Sequence, residues 1–245
     1  DQIIQGFSGL MSVTGHPDEG PVRAGIAVSD TSAGMFLGQG ILLALLHREQ
    51  TGQGQWVHTS LLEAQIFMLD FQGSRWTLKG EVAPQAGNNH PTIIPTGVFK
   101  SRDGYINLAP SGDMMFRRMS EALSAPELLA DVRFSTPDQR SKNRDSLNSV
   151  IESYTIAKPS AEWVATMNRA GVPCGPIYAI NEVFDDEQVK HLGMARTVVH
   201  STLGEIRLVD QAVMMSRTPS DISVASPECG EHTDEILAEF GLSEG

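Results

Sequence analysis

The hydrophobic pattern changes period several times along the chain. Residues 22–29, Val-Arg-Ala-Gly-Ile-Ala-Val-Ser, form a short, largely apolar run and predict a buried strand. Gly34 to Arg48 is apolar on nearly every side of a helical wheel, which predicts a buried helix. Asp30 therefore falls at a strand-to-helix junction. After the turn Thr51-Gly-Gln-Gly-Gln55, Trp56–Thr59 predicts a second strand, and Ser60-Leu-Leu-Glu63 has the spacing of a capping box opening a helix towards Gly80. Strand, helix, strand, helix is the order of an α/β layer.

Pro84, Gly87, Asn88, Asn89, Pro91 and Pro95 break any period between Gly80 and Pro95 and predict a linker. Beyond it, Thr96–Lys100 and Tyr105–Ala109 flank Ser-Arg-Asp-Gly104, a hairpin turn. Helices are expected over Asp113–Leu123, Pro137–Tyr154 and Ser160–Ala170, the last stopped by Gly171 and Pro173. A second hairpin pairs Ala195–Val199 with Glu205–Val209 around Gly204. A Pro- and Ser-rich stretch from Thr218 to Pro227 then leads into a final helix, Glu231–Phe240. The pattern divides the chain into an α/β portion at 1–80, a linker at 81–92, a small α+β domain at 93–184 and a return segment at 185–245.

Composition narrows the partners. With 40% hydrophobic and 20% charged residues over 245 positions, the chain is that of a folded globular protein. Its 18 basic and 30 acidic residues give a net charge of -12, which argues against nucleic acid or an anionic membrane surface as partner. The most apolar stretch, Met35–Leu46, is interrupted by Gly38, Gln39 and Gly40 and is shorter than the ~20 residues of a membrane span. Cys174 and Cys229 have no paired spacing, so neither a disulfide framework nor a Cys-rich zinc site is expected, and a reducing cytoplasm fits. The chain opens at Asp1 directly in structured-looking sequence and reads as a piece of a longer protein.

Several motifs imitate chemistry. The seven histidines show no His-x-x-x-His pair, so no metal is expected. Gly6-Phe-Ser8-Gly9 lacks the residue that a nucleophile elbow places between Ser and the second Gly. Cys174, in Gly171-Val-Pro-Cys-Gly-Pro176, has no basic neighbour to activate it. Gly38-Gln-Gly40 and Gly52-Gln-Gly54 lack the rest of a dinucleotide fingerprint. Asp30 has two readings: a helix N-cap, the commoner use of an Asp before a helix, or a free carboxylate facing a ligand, with Thr31 or Ser32 capping instead.

Seven segments decide more together than any does alone. They are Gln5-Gly-Phe-Ser-Gly-Leu-Met11, Gly15-His-Pro-Asp-Glu-Gly-Pro21, Val28-Ser-Asp-Thr-Ser-Ala-Gly34, Leu45-Leu-His-Arg-Glu-Gln-Thr-Gly-Gln-Gly-Gln55, Gly87-Asn-Asn-His-Pro91, Ala170-Gly-Val-Pro-Cys-Gly-Pro176 and Gly230-Glu-His-Thr-Asp234. In this order the chain resembles the class III CoA-transferases of the CaiB/BaiF family. The resemblance implies an α/β fold with a partial Rossmann-like large domain and a small α+β domain, in an interlocked homodimer. It also implies that the first part of the large domain, with much of the coenzyme A surface, precedes Asp1, so that this chain alone would be inactive.

For function, the resemblance implies that Asp30 attacks an acyl-CoA thioester and carries the transfer to a carboxylic acid through mixed anhydrides and an aspartyl-CoA thioester. Backbone N–H groups of Thr31, Ser32 and Gly34 would support the oxyanions. Leu61 would line the coenzyme A channel, the loop with Asn89 and His90 would cover the acyl group, and Gln5 would join the coenzyme A or acyl contacts. Gly-Asn-Asn-His-Pro in place of a longer glycine-rich loop argues against formyl-CoA as substrate. Two alternatives stand beside this. An acyl-CoA racemase would pair Asp30 with a His outside the chain, although such enzymes resemble Leu-Ala-Asp-Phe-Ala-Gly rather than the Val28–Gly34 segment here. A non-catalytic acyl-CoA-binding relative would not need Asp30.

Overall fold

The computed structural model describes residues 1–242. The chain separates into two compact units, Asp1–Pro176 and Ile177–Gly245. The last three residues of the expected 185–245 segment lie outside the described part.

The first unit begins with helices α1 (Gln2–Phe7), α2 (Leu10–Val13), α3 (Val28–Thr51), α4 (Leu61–Phe67) and α5 (Asp70–Lys79). Ser60 caps α4 as its spacing predicts: its hydroxyl oxygen accepts the Glu63 N–H at 3.1 Å, and the Glu63 carboxylate turns back to accept the hydroxyl at 2.7 Å. The helix expected to run on to Gly80 is instead two helices, with Asp70 in the left-handed region at φ 52° where they join.

The two strands expected here do not form. Residues 22–27 and 53–59 run as irregular chain leading into α3 and α4, and Val28 and Ser29 already belong to α3. A strand needs a neighbouring backbone to take its N–H and C=O groups, and among the described residues neither segment pairs with one. The buried helix is also corrected. α3 starts six residues before Gly34 and buries only Ser29, Ser32 and Ala33, while Leu42, Leu43 and Leu46 are mostly exposed. Its neighbours α1 and α4 are short and cover only part of an apolar circumference. At 24 residues it is, by length and composition, the one helix among the described residues able to cross a membrane, a test that core helices of soluble proteins also pass.

The rest of the unit holds β1 (Gly97–Lys100), β2 (Tyr105–Leu108), α6 (Gly112–Leu123), α7 (Glu127–Ala130), α8 (Pro137–Lys142), α9 (Arg144–Thr155), α10 (Ser160–Arg169) and β3 (Cys174–Pro176). The expected hairpin forms with Val98 opposite Asn107, and β3 adds antiparallel to the other edge of β2, Leu108 opposite Cys174. Alternation along β2 turns Ile106 and Leu108 inward and leaves Tyr105 and Asn107 outside. Those side chains and Phe99 meet Phe116 and Met119 of α6, Leu147 and Ile151 of α9, and Trp163 and Met167 of α10. The i, i+4 spacing of the last two pairs gives α9 and α10 one buried stripe each. Each of these side chains stabilises the fold by about 1.5–3 kcal/mol when fully buried. Thr136 caps α8 with Pro137 at its first position, and the single helix expected over Pro137–Tyr154 breaks at Asn143, whose φ and ψ of -111° and 28° are not helical.

The second unit contains α11 (Ile180–Asp185), α12 (Glu187–Leu192), β4 (Ala195–His200), β5 (Gly204–Val209) and α13 (Thr233–Glu239). Its hairpin pairs Ala195 with Val209 and His200 with Gly204, whose φ of 71° suits the end of the turn.

Candidate active site

Asp30 is the third residue of α3, and its side chain is 55% exposed. Ala27, in the N-cap position, has no side chain able to cap. The cap comes from Asp1, whose Oδ1 accepts the Ser29 N–H at 3.0 Å. The Val28 N–H goes to Ile26 O at 2.9 Å and the Thr31 N–H to Ala27 O at 3.0 Å. Among the described residues the Asp30 N–H has no acceptor and its carboxylate accepts no hydrogen bond from the N–H groups of its own helix. Asp30 is therefore not the N-cap. It is an exposed carboxylate beside an open N–H, at the positive end of a long helix.

Beneath this turn lies a buried polar cluster. Asp1 Oδ2 accepts from Gln5 Nε2 and from Arg23 Nη2, both at 2.7 Å. Gln5 also donates to Ile26 O at 3.1 Å and accepts the Ala24 N–H at 2.9 Å, which fixes the segment entering α3. From the other side the Ser29 hydroxyl donates to Gln65 Oε1 of α4 at 3.0 Å. Gln5, Ser29 and Gln65 are sealed from solvent.

This arrangement revises several expected roles. Gln5 is wholly buried with both amide atoms engaged, so it holds the turn and offers no surface to coenzyme A or acyl group. Because α3 starts early, the N–H groups of Thr31, Ser32 and Gly34 lie in helical hydrogen bonds and are not free for an oxyanion. The Thr31 and Ser32 hydroxyls donate to Ala27 O and Ser29 O, and neither caps the helix. Leu61 is the half-buried first residue of α4.

Asn89 and His90 belong to a separate cluster. Asn89 Oδ1 accepts from Asn148 Nδ2 of α9 at 2.8 Å, and Arg144 Nη2 donates to Pro91 O at 2.9 Å. His90 Nδ1 accepts the N–H groups of Thr92 and Ile93 at 3.2 and 3.0 Å, an assignment that puts the ring proton on Nε2. The ring stacks on Phe71 of α5, centroids 5.8 Å apart. The Gly87 N–H donates to Gly15 O at 2.9 Å, and Gln85 Nε2 donates to Thr14 O at 2.7 Å, so the loop around 14–20 and the loop around 85–91 form one body.

Asp1, Arg23 and Gln65 escape the sequence patterns because they lie 28, 6 and 36 residues from Ser29, beyond any local motif. The one available signal is Ala27, since a helix start without a capping side chain needs its acceptor from elsewhere. Two rival nucleophiles recede. Burial pushes the Cys174 thiol up to about 11, which keeps it protonated at neutral pH. Ser8 is buried at the end of α1 with its hydroxyl 3.5 Å from Gln5 O. Among the described residues no three His, Cys, Asp or Glu side chains converge as a metal set.

The sequence profile of CoA-transferase family III matches residues 1–233. The chain belongs to CoA-transferase family III. The succinyl-CoA:glutarate CoA-transferase of Mus musculus is 32% identical over 239 residues, covering 98% of this chain and 55% of that protein. The succinate–glutarate CoA-transferase of Agrobacterium fabrum is 34% identical over 240 residues, covering 98% of this chain and 60% of that one. Among solved structures, a CaiB/BaiF family protein from Brucella suis superposes with a TM-score of 0.83 at 31% identity, over 98% of this chain and 62% of that one. This family III chain thus has the mixed helix-and-sheet fold that the sequence resemblance implies, and it spans a little over half the length of these relatives.

Proposed function

We propose that the protein containing this chain moves coenzyme A from an acyl-CoA to a carboxylic acid, with Asp30 as covalent nucleophile. The observation that carries this reading is the state of Asp30: an exposed carboxylate, free of capping bonds, on a helix turn held from beneath by buried polar groups. An aspartate carboxylate is ionised at neutral pH and needs no general base to act as nucleophile.

Asp30 attacks the thioester carbonyl, the C–S bond breaks, and coenzyme A leaves as thiolate from a mixed anhydride. The thiolate attacks the Asp30 acyl carbon, the donor acid departs as carboxylate, and an aspartyl-CoA thioester remains. The acceptor carboxylate then attacks that thioester, again expelling thiolate and forming a second anhydride. Attack of the thiolate on the acceptor's acyl carbon returns Asp30 as carboxylate and yields the new acyl-CoA. The open N–H of Asp30 is a free backbone donor beside the nucleophile for the oxyanions in these steps.

Relatives named for succinyl-CoA with glutarate and, in Chloroflexus aurantiacus, with D-citramalate support succinyl-CoA as donor and a small dicarboxylate as acceptor. The family resemblance extends the proposal to a cytoplasmic, interlocked homodimer that uses no metal.

In the intact protein, Asp30→Ala should keep the far-ultraviolet circular dichroism spectrum and abolish succinyl-CoA:glutarate transfer. Hydroxylamine added with succinyl-CoA should leave a hydroxamate on Asp30, read by peptide mass spectrometry. Transfer at the wild-type rate in Asp30→Ala sinks the covalent mechanism, and exchange of the substrate α-proton without any trapped Asp30 favours the racemase instead.

A further inference from the structure

We infer that Asp1 is a positioning residue for the nucleophile: it fixes the first turn of α3 so that the Asp30 carboxylate meets the thioester in a single orientation. The inference rests on the reading of Asp30 as nucleophile.

The first N–H groups of a helix need acceptors, and a flanking Ser, Thr, Asn or Asp usually supplies one. Here Ala27 cannot, and the carboxylate of Asp1, 28 residues before Ser29, does so, with its side chain only 9% exposed. Every contact on that carboxylate serves the same turn. Oδ1 takes the Ser29 N–H, next to the nucleophile. Oδ2 is held by Arg23 and by Gln5, which also grips Ala24 and Ile26. Arg23 further neutralises Asp1, so a second carboxylate can sit beside Asp30 without opposing an anionic ligand. A cap serving only the helix end would need one oxygen on the Ser29 N–H, and not a second oxygen held by both Gln5 and Arg23.

The test uses the intact protein, succinyl-CoA and glutarate. Asp1→Ala should lower kcat about 10- to 100-fold, the scale of loss from a small misplacement of a reacting group, with KM for succinyl-CoA within about twofold. The rate of hydroxylamine trapping at Asp30 should fall in proportion. Asp1→Asn, which can still accept the Ser29 N–H, should recover most of the lost rate. If Asp1→Ala does not fold, Arg23→Ala, which leaves the carboxylate in place but frees it, is read for the same drop in kcat at constant KM. A folded variant with wild-type kcat and only a lower melting temperature overturns the inference, as does a rise in KM at constant kcat. Asp30→Ala is measured alongside: transfer surviving there removes the nucleophile reading itself, whereas its loss there with full activity in Asp1→Ala removes only the positioning role.

Discussion

The Ser29 hydroxyl and the Gln65 amide meet 3.0 Å apart with both side chains closed to solvent, tying the turn before Asp30 to the middle of α4. Gln65 Nε2 is buried and has no acceptor among the described residues. Breaking such a pair from one side leaves the other polar group without a partner, at a cost of about 1–3 kcal/mol, whereas replacing both by apolar groups of similar size can be neutral. Ser29→Ala in the intact protein should therefore lower stability by that amount, and Ser29→Ala with Gln65→Met should restore most of it, because the Met also removes the orphaned amide. Urea unfolding midpoints for the two single variants and the pair give the coupling. Additive losses would show that the contact contributes nothing of its own.

The loop bearing Asn89 and His90 is tied to α9 through Asn148 on Asn89 and Arg144 on Pro91 O. Asn148→Ala removes one of these ties and leaves the packed stripe of Leu147 and Ile151 untouched. Global stability should fall by about 1 kcal/mol, the net worth of one such hydrogen bond. Amide hydrogen exchange over 87–93 should rise far more than over β1 and β2. Equal acceleration in the loop and the sheet would mean that the tie belongs to the core and not to the loop.

How much of this was legible in the sequence depends on the range of the interaction. Elements governed by near neighbours were readable: the Ser60–Glu63 cap, the hairpin at Ser101–Gly104, and the helix ended by Gly171, whose φ of 72° few other residues tolerate. Those that need distant partners are not legible in the sequence. The apolar run 22–29 has the composition of a strand, but composition cannot supply a neighbouring strand, and the segment from Val28 continues instead into α3. Asp30 was legible as an aspartate at a helix start. That it is not the cap depends on Asp1, and no spacing rule links Asp1 to Ser29, 28 positions on. Gln5 lay in a segment shared with the family, yet only the folded chain shows its amide turned inward.

A second distant aspartate caps a helix, and here the pH dependence can be worked out. Asp103, in the hairpin turn, accepts the Ser160 N–H at the start of α10 at 2.8 Å and also the Ser160 and Ser101 hydroxyls. These bonds, the Ser160 N–H foremost, hold its carboxyl below the ordinary value of 3.8. A depressed folded pKa stabilises the native state above the unfolded value and loses that contribution as the pH falls through the folded one. Asp103→Asn should therefore melt at a lower temperature than wild type at pH 7, with the gap closing below pH 3.8. Parallel melting curves for both proteins from pH 7 to pH 2 test this, and a gap independent of pH would assign the effect to lost packing.

Cys174 offers the opposite sign. It packs against the core from β3, its N–H bonded to Asn168 Oδ1 at 3.1 Å, and burial alone raises its thiol from 9.0 to about 11. The thiolate is the reactive form, so at pH 8 Cys174 should alkylate much more slowly than the exposed Cys229. Peptide mass spectrometry after brief iodoacetamide treatment of the native protein separates the two. Because the unfolded thiol ionises first, this group leaves stability unchanged below pH 9.0 and draws it down as the pH rises from there towards 11. A half-buried, protonated thiol has no part in coenzyme A transfer, so Cys174→Ala should leave kcat within about twofold of wild type. Rapid alkylation of Cys174 at pH 8, accompanied by loss of transfer, would return it to the list of nucleophiles and put the assignment of Asp30 in question.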